Sequence, residues 1–189
     1  MDLKTIFREM DTLKANFENC KAYFPHMNKK MIGCQQFNTA PRYWHKGFPF
    51  TFFFNKPLTA QDVKKNNEIS HWLNENFVVR LCAILNSYKI CSKRKHIDSS
   101  VRNGSNEMYL LKRLRDVIAH SSGRYNPNDK KHDHKGLMRD LLSYFNLSNQ
   151  NRKAFPLPID TVLDPLFEGC KRYVQEKVCT PSLQPPTSQ

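Results

Sequence analysis

Leu110-Leu-Lys-Arg-Leu-Arg115-Asp116-Val-Ile-Ala-His120-Ser-Ser-Gly123 is the stretch that decides how this chain folds. Its apolar residues, at 110, 111, 114, 117 and 118, repeat at the i, i+3, i+4, i+7 spacing of a helix that buries one stripe. Gly123 suits the left-handed residue that closes a helix. Arg115, Asp116 and His120 fall off that stripe, in the last turns, on a surface that meets solvent or a partner. A guanidinium is a fixed cation whose fork matches phosphate, and an imidazole moves a proton near neutral pH.

Working outward, the same period recurs. Residues 2–24 place Leu3, Ile6, Phe7, Met10, Leu13, Phe17, Cys20 and Phe24 at steps of three or four, and Pro25 follows. Residues 25–57 hold four prolines and no helical rhythm. Their aromatic run, Phe48-Pro-Phe-Thr-Phe-Phe-Phe54, reads as an extended arm packed over helices, with a short strand as the alternative. Core or interface packing accounts for these rings better than base stacking by Tyr43, Trp44 or the phenylalanines. A second helix is expected from Thr59 to about Ser87 or Ile90, with a Thr59–Asp62 capping box. Val63, Ile69, Trp72, Leu73, Phe77, Leu81, Ile84, Leu85 and Tyr88 form its expected buried face. A basic linker over 92–105 leads to Asn106, a candidate cap for the 110–123 helix. A polar loop over 124–135 precedes a helix carrying Leu137, Met138, Leu141, Leu142 and Phe145. The last helix spans about 159–178 through Val162, Leu166, Cys170, Tyr173 and Val174, and Asp164-Pro165 starts it late or kinks it. The expectation is an all-α bundle of about five helices forming one domain over 1–179, followed by a disordered Pro-rich tail at 180–189.

The chain has 189 residues and a formal charge of +13, which favours a polyanionic partner, nucleic acid before anionic membrane. The cations cluster at Lys93-Arg94-Lys95, at Lys112, Arg113, Arg115 and Arg124, and at Lys130-Lys131. Six cysteines show no C-x2-C pair, so buried free thiols in a reducing, cytoplasmic setting are expected. No signal pattern opens the chain, and no apolar run reaches the length of a membrane span. Gly-rich phosphate loops and serine-nucleophile elbows are absent.

Arg115, four intervening residues and His120, with a polar residue directly after the arginine, resemble the R-x4-6-H signature of HEPN (higher eukaryotes and prokaryotes nucleotide-binding) domains. The helical pattern extends the resemblance over residues 58–178. It implies a small helical bundle, commonly a homodimer, many of whose members are ribonucleases of toxin–antitoxin and abortive-infection systems. An adjacent antitoxin or nucleotidyltransferase is the partner it implies.

On a regular helix at about 100° per residue, Asp116 and His120 project about 40° apart, but Arg115 and His120 about 140° apart. Either the helix unwinds before Ser121, or a second copy completes the site. The chemistry the resemblance implies is metal-independent cleavage of RNA, with no cofactor expected. The 2′-hydroxyl attacks the adjacent phosphate and the 5′-oxygen leaves with a proton. His120 acts as base, acid or both across two protomers, and Arg115 stabilises charge on the phosphoryl oxygens. Asp116 orients the imidazole, or else forms a surface ion pair with Lys112. Lys112, Arg113, Arg124, Lys130 and Lys131 are the candidate RNA contacts. Glu75 and Asn76 of the preceding helix are candidates for orienting His120, against the simpler reading of a solvated face. His132-Asp133-His134 offers two imidazoles on a lysine-rich loop without a clear third and fourth metal ligand. A non-catalytic module of the same kind, binding RNA or a protein through its basic face, is the alternative.

Overall fold

Each helix forms where an apolar stripe meets a competent cap. In the computed structural model, which describes residues 2–44, 46–90, 101–121, 123–148 and 154–179, α1 runs Leu3–Tyr23 and Asp2 caps it by accepting from the Lys4 N–H. Helix α2 runs Ala60–Ser87, and its capping box is formed as expected: Thr59 accepts from the Asp62 N–H while Asp62 accepts from the Thr59 N–H. Helix α3 is Ser105–Ser121, α4 is His134–Tyr144 and α5 is Asp164–Cys179. Asn106 therefore lies inside the first turn of α3 instead of capping it. The expected late start of the last helix takes the form of a π-helical turn, Ile159–Leu163, running into α5 at Asp164.

The helices bury one core. Ile6, Met10, Leu81, Leu85, Leu111, Leu114, Val117, Leu137, Leu141, Leu166 and Tyr173 are all fully enclosed in it. Helix α3 lies against α2, α4 and α5, and α1 against α2 and α5. A side chain on Gly169 would collide with Glu107, so this glycine allows α5 its close approach to α3. Arg172 donates to the buried Glu107 at 2.7 Å along the same contact.

The arm departs from the extended expectation. Gln36–Asn38 (β1) and Thr51–Phe53 (β2) pair antiparallel, with Phe37 opposite Phe52. Cross-strand aromatic pairing explains the hairpin: the rings of Phe37 and Phe52 stack at 4.9 Å. Arg42 then ties the arm to the bundle, donating to Glu18 of α1 at 2.8 Å and to Asp164 of α5 at 2.6 Å.

Four burial expectations change. Cys20 and Phe24 of α1 are exposed, and Lys21 and Ala22 are buried in their place. Ile69 and Trp72 of α2 are also exposed, and Ser70 and Asn74 face inward. Among the described cysteines, Cys82 and Cys170 are buried, Cys34 is half-buried, Cys20 and Cys179 are exposed, and no disulfide joins any two of them. Lys93-Arg94-Lys95, Cys91 and the 180–189 tail lie outside the described residues. No helix among the described residues is long and apolar enough to cross a membrane.

Candidate functional site

Helix α3 stays α-helical through Ser121, and Gly123 takes the left-handed conformation (φ +67°). Of the two ways to reconcile Arg115 with His120, unwinding before Ser121 is therefore not the one adopted. Arg115 is partly exposed, and its Nη1 donates to Asp116 Oδ1 at 2.7 Å. That contact draws the Asp116 carboxylate to the arginine and engages one of the five guanidinium donors. His120 is exposed, and its ring lies parallel to that of His132, with centroids 5.0 Å apart and planes at 16°. The His132 N–H donates to Asp129 Oδ1 at 3.0 Å, which shapes the turn that carries His132 over the end of α3.

His134 does something different from His132. It is fully buried in the first turn of α4, capped by Asp133. Its Nδ1 accepts from the Asn126 N–H at 3.0 Å, so the proton belongs on Nε2. Nε2 faces both Ser121 Oγ at 3.2 Å and Asp129 Oδ2 at 3.4 Å. Burial pushes its pKa down, with Asp129 opposing. With serine and carboxylate both on the protonated nitrogen, this ring has no lone pair to take the Ser121 proton. The trio is a structural lock between α3 and α4, not a nucleophile and its base. No group of three or more His, Cys, Asp and Glu among the described residues is arranged to hold a metal ion.

The candidate RNA contacts divide. Arg124, Lys130 and Lys131 are exposed. Lys112 and Arg113 are buried, contrary to expectation. Arg113 donates to Asp140 at 2.5 Å, and to the carboxylate and carbonyl of Asp133 at 2.8 and 3.0 Å, fixing the start of α4 against α3. Lys112 Nζ is enclosed without a hydrogen-bond partner, so it is neither a phosphate contact nor a surface pair with Asp116.

No known protein family matches the chain, and no curated protein or solved structure is significantly similar to it. The site must be read from its own geometry.

Glu75 and Asn76 also part. Glu75 packs on Gly123, where any side chain would strike its carboxylate, and its Oε1 lies 3.2 Å from His71 Nε2. It thus reaches the end of α3, lining a groove of about 710 Å³ with Trp72, Gly123 and Arg124. Asn76 lines the groove between α1 and α2 instead. Sequence reasoning weighed His132 only as a metal ligand, one that His120 could join, and missed the stacking of the two rings. The available signal was the place of His132 on the short loop that returns the chain to α3.

Proposed function

We propose that the protein is a metal-independent endoribonuclease resembling HEPN ribonucleases, with His120 and Arg115 as its reacting groups. The observation that carries this reading is the stack of exposed His120, at the end of α3, on half-buried His132, which lies on the turn that bears Lys130 and Lys131. Two imidazoles side by side provide one group to take the 2′-hydroxyl proton and one to deliver a proton to the departing 5′-oxygen. Arg115, with four guanidinium donors beyond the Asp116 contact, stabilises charge on the phosphoryl oxygens. Arg124, Lys130 and Lys131 hold the flanking phosphates. Arg115 and His120 diverge on an unbroken helix, which favours a homodimer that sets the arginine of one copy beside the histidines of the other. A toxin role in defence, with an antitoxin or nucleotidyltransferase partner, rests on the R-x4-H resemblance.

The second reading, a module that binds RNA or a protein without cutting, is favoured by one feature. Two of the expected cations are buried, and Arg115 already holds a carboxylate.

Cleavage of a labelled RNA in EDTA separates them. The nuclease yields a 2′,3′-cyclic phosphate and a 5′-hydroxyl, and a single 2′-deoxy substitution 5′ of the scissile phosphate blocks that cut alone. His120→Ala and His132→Ala each lower the rate by about 10²–10⁴-fold while the protein stays folded. RNA that is bound but uncut by the wild type establishes the binding module. Chelator-sensitive cutting, or efficient cutting of DNA, overturns the mechanism.

A further inference from the structure

A second polar cluster lies away from the motif helix, where the end of α1 meets α2. Lys21 is 2% exposed, and its Nζ donates to the Ser70 carbonyl at 3.0 Å and to Ser70 Oγ. Among the described residues no carboxylate pairs with it, and burial alone pushes its pKa down to about 8. A buried ammonium without a counter-ion is costly, and folds retain one where something else supplies the charge.

One turn along α2 from Ser70 stands Asn74, 9% exposed. Its Nδ2 donates to the Leu157 carbonyl at 2.9 Å, which fixes the amide orientation. Oδ1 is left buried with no hydrogen-bond partner among the described residues. Ser70, the partner of Lys21, is four residues from Asn74 on α2, a spacing that puts Cβ atoms roughly 5–6 Å apart, and Lys21 and Asn74 border one space. That space is a cavity of about 890 Å³, closed by the 154–160 segment and shared with His26, Tyr43 and His71. His26 is held below its ordinary pKa by burial and then by the charges of Lys21 and His71. Burial raises the Tyr43 hydroxyl to about 12, which keeps it a neutral donor. Arg42 and Asp160, also on the lining, are paired at 2.5 Å, and Arg42 is shared with Glu18 and Asp164 as well, so this group adds no positive charge to the cavity. The charge that remains inside is positive.

We propose that this cavity binds a phosphate group that keeps a proton, either inorganic phosphate or the singly charged, protonated form of a small-molecule phosphomonoester. Lys21 supplies the counter-charge, and Asn74 Oδ1 accepts the phosphate O–H. Both needs are met by one ligand: an anion answers the unpaired ammonium, and a donor on that anion answers the orphan oxygen. A cavity of this size also suits the organic part of a small phosphomonoester. Sulfate has the charge but no proton, so Asn74 rejects it.

Thermal unfolding of the full chain at pH 6, where a phosphomonoester with its second pKa at about 6 is half protonated, and at constant ionic strength tests this, with inorganic phosphate, sulfate and glycerol phosphate as probes. Phosphate at tenfold excess over its Kd raises Tm by roughly 3–5 °C, and sulfate has little effect. Glycerol phosphate acting at lower concentration than inorganic phosphate assigns a monoester ligand, and the reverse order assigns free phosphate. Lys21→Met abolishes the phosphate shift, whereas His120→Ala and Arg115→Ala keep it, which separates this cavity from the proposed RNA site. If Lys21→Met does not fold, Asn74→Asp carries the test. Its carboxylate becomes the counter-ion of Lys21 and removes the phosphate effect. Equal shifts from sulfate and phosphate, no shift from either phosphate probe, or an undiminished shift in a folded Lys21 or Asn74 variant overturns the proposal.

Discussion

Helices α1 and α3 end alike on paper and oppositely in space. Each places a basic side chain in its last turn, Lys21 in α1 and His120 in α3, where the helix dipole favours positive charge. His120 is exposed beside His132, whereas Lys21 is enclosed by Ser70 of α2 and borders a cavity closed by residues 154–160. The local chemistry is the same, and the cover is what differs. The turn over α3 comes from the next dozen residues, but the segment over α1 arrives after more than a hundred. The accessible side chain is open to a polymer, and the enclosed one only to a small ion.

The sharpest way to break this contrast is to titrate Lys21. Below about pH 8 both folded and unfolded chains carry its proton, so the full cost of burying the charge weighs on the fold. Between about 8 and the ordinary value of 10.5, the folded chain releases that proton while the unfolded chain keeps it, and stability rises with pH. Compared with Lys21→Met, the wild type should gain about 3 kcal/mol across that window in urea melts. Parallel curves for the two proteins would show that Lys21 is not held as a buried cation.

Arg113 gives the next largest effect. Its side chain is nearly enclosed, and it ties α3 to both Asp133 and Asp140. Arg113→Leu should destabilise by about 2 kcal/mol, less than a wholly buried pair because the two carboxylates still reach water. RNA affinity should hold at temperatures where the variant is folded. A weakened affinity in folded Arg113→Leu protein would return this residue to the binding surface.

Arg113 also shows where sequence reading stops. The helical period of 110–118 and the left-handed Gly123 were legible because they depend on neighbours three or four residues apart. The Thr59–Asp62 box and the apolar run of α5 were legible for the same reason. Amphipathic reasoning sends every charge outward, however, and Lys21, Lys112 and Arg113 sit within faces that other helices happen to cover. Ser70 and Asn74 turn inward for the same reason, because they meet the lysine of α1 and the carbonyl of Leu157. Trp72 and Ile69 are displaced outward in consequence. Of the candidate site, Arg115 and His120 were placed correctly off the stripe. Of the His120–His132 pairing only the short loop between the two residues was legible, since the stacking depends on how that polar turn folds back.

Gly123→Ala probes the junction itself. The left-handed conformation costs an alanine roughly 1 kcal/mol, and the new methyl group would displace the Glu75 carboxylate. A Tm loss of about 2–4 °C is expected at this chain length. If Glu75 positions the end of α3, cleavage should fall further than the lost stability explains. Unchanged cleavage in the folded variant would confine Glu75 to packing.

The smallest expected effect on stability is the most telling for the contrast. Arg115 is partly exposed, and its ion pair is with the adjacent residue, where solvent screens the charge and little chain entropy is at stake. Arg115→Ala should therefore move the unfolding free energy by less than about 0.5 kcal/mol. The same change should abolish RNA cleavage if the guanidinium meets the phosphoryl oxygens. Asp116→Asn divides the two roles Arg115 has in the structure. It frees the fork from its carboxylate, so RNA binding should strengthen if Asp116 competes with phosphate, and the salt dependence of binding should steepen. A large stability loss in Arg115→Ala would instead make Arg115 a fixture of the fold like Arg113. The outward-facing end of α3 would then resemble the inward-facing end of α1 after all.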